Sequence, residues 1–186
     1  MKLIVGLGNI GENYEKTRHN LGFLMLDFFA TAHNLKWQEK TKFKASCAEY
    51  NSESEKILLI KPQTFYNNSG ESVRAIKDFY KVKNEDILVI HDELALPFGT
   101  LRTREGGSDA GNNGIKSIST HIDADYWRIR IGIWNELQEK MNDADFVLSR
   151  FSKEEANVIE KAINQEVIAL IDNFLNNTIE TTSFKV

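Results

Sequence analysis

The sequence predicts an α/β fold: a single three-layer α/β/α sandwich around a twisted, mixed and mostly parallel sheet. Three observations lead there. Strand-like apolar runs alternate with helix-period segments along the chain. Ile87–His91 opens with an unbroken Ile-Leu-Val-Ile run, the pattern of a strand buried on both faces. No repeat, low-complexity tract or linker interrupts the 186 residues, so one domain over 1–186 is expected, with a C-terminal helix from about residue 152 docked on it.

In order, Lys2–Leu7 reads as a buried strand, and Asn20–Asn34 as a helix with Leu21, Leu24, Phe28 and Ala32 on one face. Phe43–Tyr50 and Lys56–Lys61 are expected as strands joined by a polar turn, Asn51–Glu55. Ser69 is placed to cap a helix through Tyr80 with Val73, Ile76 and Phe79 as its stripe. After the strand Ile87–His91, Thr100–Arg104 alternates, and the glycine-rich Gly106–Gly114 loop opens a short helix ending near His121. Trp127–Ile133 puts Ile129, Ile131 and Ile133 on one strand face and Arg128 and Arg130 on the other. Ser152 with Glu155 forms a capping box for the last helix, whose stripe is Ala156, Ile159, Ile163, Val167, Leu170 and Phe174.

Composition excludes several classes. The chain is 41% hydrophobic and 27% charged, enough for a substantial core, and no apolar stretch approaches the ~20 residues of a membrane span. Met1-Lys2 runs straight into a strand, leaving no room for a signal peptide, and the one cysteine, Cys47, cannot form an internal disulfide. A reduced, cytoplasmic setting is expected. The net charge of −4 argues against a nucleic-acid coat protein but leaves a local basic patch open.

The most informative stretch is Leu3–Gly22, where a strand empties into a glycine-rich turn holding Asn9, and a polar loop then delivers Thr17-Arg18-His19-Asn20. A histidine on a loop at a strand end, beside an asparagine amide, is how a general base is set next to a group that grips substrate. Gly6-Leu7-Gly8-Asn9-Ile10-Gly11 matches the dinucleotide-binding pattern, yet Glu12–Arg18 is too polar for the helix that pattern requires. The glycines are read instead as bending the chain so that Asn9 faces a cleft.

Further features lie at strand ends, where open α/β sheets place their sites. Phe65-Tyr66-Asn67-Asn68-Ser69-Gly70 precedes a helix, and Asn67 is the residue there best placed to face a cleft while Asn68 and Ser69 cap. Asp92, in His91-Asp92-Glu93, is suited to fixing the tautomer of a catalytic imidazole, whereas His91 reads as structural. His33 and His121 read as helix-end surface residues. Paired metal-ligand spacing and a serine elbow are both missing, and Cys47 reads as core. Histidine-activated water attacking an ester or amide is the chemistry left.

The blocks GLGNIGENYEKTRHNLGF, KPQTFYNNSGESV, HDELALP, GNNGIKSI and RIRIGI, in this order, resemble bacterial peptidyl-tRNA hydrolase over nearly the whole chain. The resemblance implies a cofactor-free, metal-free monomer that cleaves the ester between the peptide and the terminal ribose of peptidyl-tRNA, recycling tRNA. By position, His19 matches the catalytic base and Asp92 its orienting carboxylate. Asn9, Asn67 and Asn113 match substrate- and water-binding asparagines, Tyr14 borders the acceptor site, and Phe65 and Tyr66 line the cleft. Arg104 and Arg130 match positions that grip tRNA phosphates. The residues alone agree in part: Arg102, Arg104, Arg128 and Arg130 alternate on two strands, as an anion-binding face would.

The chain departs from the family pattern at Ile10 for a usual proline, Tyr66 for methionine, Ala95 for aspartate and Asn112 for histidine. Ser108, Asp109 and Ala110 stand in a usually more glycine-rich run, and Trp134-Asn135 in a usual glycine-containing turn. The altered loop together with the arginines supports an alternative, a non-catalytic RNA-binding protein of the same fold. A third reading is a hydrolase of small esters or peptides.

Overall fold

The computed structural model describes residues 1–52 and 55–186. An eight-stranded sheet runs in the order β2-β3-β4-β1-β5-β7-β6-β8. Its strands are β1 Lys2–Gly6, β2 Gln38–Lys40, β3 Ala45–Asn51, β4 Lys56–Pro62, β5 Ile87–Pro97, β6 Thr100–Glu105, β7 Trp127–Trp134 and β8 Thr182–Lys185. Parallel pairing is confined to the central β4-β1-β5-β7 group, and the pairings outside it are antiparallel. The sheet is therefore mixed, with less parallel character than expected. Antiparallel pairs at both edges, β2–β3–β4 on one side and β7–β6–β8 on the other, account for the difference. Part of the polar turn expected at Asn51–Glu55 lies outside the described residues.

Successive residues of the central strands feed opposite faces, giving two apolar layers. Ile4, Leu88, Ile90, Ile129, Ile131 and Ile133 pack with α1 (Leu21–Ala32) and the C-terminal helix on one side. Leu3, Val5, Leu7, Ile87 and Val89 pack with α2 (Ser69–Tyr80) and α3 (Asn113–Ile122) on the other. Each fully buried isoleucine or leucine contributes about 1.5–3 kcal/mol relative to exposure.

Several faces differ from expectation. The α1 stripe centres on Leu21, Met25 and Phe29, all buried, with Leu24 and Phe28 flanking it and Ala32 exposed. Ser69 is the first residue of α2, following Asn68 at the cap position, and its hydroxyl donates to Tyr66 O at 2.8 Å. Phe79 is 53% exposed and packs edge-on against Phe43, while Val73 and Ile76 form the buried face of α2 together with Ser69, Gly70 and Ser72. The capping box at Ser152 forms as expected. The final helical segment runs as α5 (Lys153–Val158), a π turn (Ile159–Ile163) and α6 (Asn164–Leu175). The wider turn rephases the stripe, so Ile159, Ile163, Val167, Leu170 and Phe174 are buried while Ala156 upstream is exposed. α4 (Asp143–Val147) and the edge strands β2 and β8 complete the fold.

Candidate active site

Close backbone packing brings the site together. A Cβ on Gly22 would lie 2.3 Å from Ile90 O and 2.5 Å from Leu7 N, so the start of α1 rests on the backbones of β5 and the β1 exit. Gly6 approaches Gly22 O in the same way, and Gly8 lies under the Phe23 ring. Gly11 alone in this motif bends the chain through a positive φ, at +105°. The Gly6 and Gly8 of the motif thus serve close approach rather than the sharp turn expected of them.

This packing seats the 3₁₀ turn Arg18–Asn20 beside β5. His19 Nδ1 lies 2.9 Å from Asp92 Oδ2. Asp92 is 2% exposed, inside a strand that continues to Pro97 rather than at its end. Burial works to raise the Asp92 carboxyl, but the His19 charge and hydrogen bond and the Tyr66 hydroxyl outweigh it and hold the group below the usual carboxylate range. An ionised carboxylate only accepts, so Nδ1 is the donor, and in the neutral imidazole the lone pair lies on Nε2, for which the described residues provide no hydrogen-bond partner.

Asn9 is fixed by three bonds. Its backbone N–H donates to Asn20 Oδ1 and its carbonyl accepts from Asn20 Nδ2, both at 2.8 Å, while its side-chain oxygen accepts from Tyr66 N at 2.9 Å. The last bond orients the Asn9 amide and leaves its NH2 for the crevice. Phe65 adopts φ +59° and ψ 159°, a conformation of order 1–3 kcal/mol above the usual regions for a residue with a side chain, and the next N–H, that of Tyr66, faces Asn9.

His19, Asp92, Asn9, Phe65, Tyr66, Asn67 and Asn113 all line one crevice of about 590 Å³. Asn68 and Asn112 also line it, and Ala144, Val147 and Leu148 of the α4 region give it an apolar wall. Two expected members differ. Tyr14 lies outside this lining, on the Gly11–Thr17 turn, where its carbonyl accepts from the Thr17 hydroxyl at 2.8 Å. Tyr66 is 2% exposed: its ring is stacked beneath His19 at 3.5 Å and 12°, and its hydroxyl donates to Asp92 Oδ1 at 2.7 Å. It is support below the site more than wall.

The arginines separate. Arg102 faces Arg130, and Arg104 faces Arg128, across β6 and β7. Arg128 is buried and donates to Ser108 O and Gly107 O at 2.8 and 2.9 Å, which pins the glycine-rich loop. Arg130 is paired with the buried Glu93 at 3.0 Å. Arg104 is exposed and lies over Gly107, whose missing side chain makes the room. Arg102 donates to the Ser183 hydroxyl at 2.9 Å.

Family comparison decides what this arrangement belongs to. The family pattern described as peptidyl-tRNA hydrolase matches residues 3–186. The chain belongs to that family. The peptidyl-tRNA hydrolase of Aliarcobacter butzleri is 47% identical over 172 residues, covering 91% of this chain and 90% of that protein. The one from Clostridium perfringens strain SM101 is 43% identical over 182 residues, covering 97% and 95%. Among solved structures, Acinetobacter baumannii peptidyl-tRNA hydrolase superposes with a TM-score of 0.86 at 31% identity, over 95% of this chain and 89% of that one.

Two of the departures from the family pattern meet here. Asn112 Nδ2 donates to the Tyr66 hydroxyl oxygen at 2.9 Å, while Asn112 Oδ1 accepts from Ile115 N as the cap of α3. His91 is buried and donates from Nδ1 to Asp92 O at 2.7 Å, a structural role as expected. Burial lowers its tendency to protonate. His33 is half-buried and packs at a tilt against the Phe29 and Tyr50 rings, and Cys47 is a buried thiol pushed up to about 11 by burial.

Sequence reasoning passed over Arg18. It is 1% exposed, forms two bonds to Glu155 at 2.9 and 2.7 Å, and lies over the Phe146 and Phe151 rings. This ties the turn carrying His19 to the capping box of α5. The α4 wall was also missed, although Asn142 followed by Asp145 is a readable cap, with Asn142 Oδ1 accepting from Asp145 N. Among the described residues, no three His, Cys, Asp or Glu side chains gather as a metal site, and no helix is long and apolar enough to cross a membrane.

Proposed function

We propose that the protein hydrolyses the ester between the peptide and the terminal ribose of peptidyl-tRNA, with His19 as general base. The observation that carries this reading is the single hydrogen bond from His19 Nδ1 to a buried, ionised Asp92, which leaves the Nε2 lone pair to an open crevice. Nε2 takes a proton from water, and the resulting hydroxide attacks the ester carbonyl. Collapse breaks the bond to the ribose oxygen, which leaves with the proton from the imidazolium and frees the tRNA. Asp92 remains ionised and steadies the transient imidazolium.

Around this pair, Asn9, Asn67 and Asn113 supply amides for the peptide carbonyls and the attacking water, and Phe65 offers an exposed ring at the crevice. Arg104 is the arginine placed to reach a phosphate, with Arg130 sharing its charge with Glu93. Tyr14, on the neighbouring turn, is assigned to the acceptor end. The protein acts in this reading as a cytoplasmic monomer without a cofactor.

Incubation with N-acetyl-aminoacyl-tRNA, following free tRNA, tests the assignment. Release of tRNA is expected. Binding without release would replace this reading with the non-catalytic RNA-binding one, and cleavage of short N-blocked aminoacyl esters without the tRNA body would replace it with a small-ester hydrolase.

A further inference from the structure

Asp92 has two carboxylate oxygens, and the fold occupies both. Oδ2 accepts from His19 and Oδ1 from Tyr66. The direction of each bond is determined. Burial, with the Asp92 charge beside it, pushes the Tyr66 phenol well above its usual range, so the phenol is protonated and is the donor. Asn112 cannot be turned around, because its Oδ1 is held by the Ile115 N–H at the start of α3, so its Nδ2 donates to the phenol oxygen. The result is a directional chain from Asn112 through Tyr66 to Asp92, meeting the His19 donor at the same carboxylate. Gly114 makes this possible: a Cβ there would lie 2.5 Å from the Tyr66 ring.

We propose that Tyr66 is a positioning residue of the His19–Asp92 pair, its hydroxyl drawing charge from Asp92 and its ring holding the imidazole plane, with Asn112 reinforcing the hydroxyl. This rests on the hydrolase reading and deepens it. A donor shared by a carboxylate reduces the negative charge that the carboxylate offers its other partner. Tyr66 therefore makes the imidazolium of His19 easier to deprotonate than Asp92 alone would. The parallel stack at 3.5 Å also restricts rotation of the His19 ring, keeping Nδ1 on Asp92 and Nε2 on the crevice side.

The other charged or titratable groups facing this cluster are accounted for. His91 donates to the Asp92 backbone carbonyl, not its carboxylate. Glu93 is bonded to Arg130, Arg128 to the Gly107 and Ser108 carbonyls, and Asp143 of α4, across the crevice, accepts from Gln138 Nε2. Among the described residues, only His19 and Tyr66 donate to the Asp92 side chain.

The test is an NMR titration of the His19 imidazole, assigned by its loss in His19→Ala, in the wild type and Tyr66→Phe. Phenylalanine keeps the ring and removes the donor. The midpoint is expected to rise by about half a pH unit or more, a roughly threefold gain in proton affinity, and the acid limb of kcat/KM moves with it. Site-specific 3,5-difluorotyrosine at position 66, close to the natural shape but a stronger donor, is expected to move the midpoint down. Asn112→Ala gives a smaller rise. A midpoint that stays within about 0.2 units in both Tyr66 variants, or falls in Tyr66→Phe, overturns the proposal. Because the titration needs no turnover, its outcome is independent of whether tRNA is released.

Discussion

The His19 crevice and the arginine ladder on β6 and β7 are made of equally polar side chains, and the fold treats them differently. In the crevice, Asn112 bonds to Tyr66 and Tyr66 to Asp92, while Asn20 holds the Asn9 backbone, so that His19 Nε2 and the Asn9 NH2 remain open. On the ladder, Arg128 and Arg130 turn inward to loop carbonyls and Glu93, leaving Arg104 as the cation facing outward with least engagement. Strand alternation put the arginines of both strands on one face. Which of them stays available depends on the glycine-rich loop that folds back over them.

This contrast predicts effects of different kinds. Asp92→Asn is expected to be the largest, lowering turnover by about 10²–10⁴-fold with tRNA binding nearly intact, because an amide no longer enforces the Nδ1–H tautomer. Steady-state kinetics beside a filter-binding assay reads both quantities, and equal losses in binding and turnover would dissolve the distinction. Arg128→Ala should act on stability instead, costing at least ~2 kcal/mol in chemical denaturation because a charged donor leaves two loop carbonyls unpaired.

Arg104→Ala should leave stability within ~0.5 kcal/mol and lower the slope of log affinity against log salt by about 1. An Arg104 variant with an unchanged salt slope would place the phosphate contacts elsewhere. The smallest effect sharpens the structural side. Arg18 and the Ser152 bonds, working against burial, hold the Glu155 carboxyl below its usual range. A depressed carboxyl stabilises the fold above its unfolded value and loses that contribution as pH falls through the native one. Glu155→Gln should therefore lower Tm by a few degrees at neutral pH, and the gap should close at pH values well below about 4.

Much of this was legible in the sequence, for local reasons. The apolar run Ile87–Ile90, the Ser152–Glu155 box and the alternating Ile129-Arg130-Ile131 segment each declare their structure through nearest neighbours. His19, Asp92, Asn9 and Asn67, which line the crevice, stood out because polar types at the ends of apolar strands are unusual for a core, whereas Asn113 came from the family resemblance. What stayed hidden depends on pairs distant in the chain. Tyr66 reads as a wall residue until Asp92 is known to lie 2.7 Å away, and Arg18 carries no signal of its own until Glu155 meets it. The phase of the last helix was misjudged at Ala156 because a π turn leaves no periodic trace in sequence.

The account turns on His19 Nε2 as the group that activates water. Its most direct test compares the wild type with His19→Ala for tRNA release from N-acetyl-aminoacyl-tRNA, at saturating substrate and near-neutral pH. Turnover in the variant is expected to fall at least ~10²-fold while the folded CD spectrum and tRNA affinity persist. Turnover equal to the wild type would contradict the assignment.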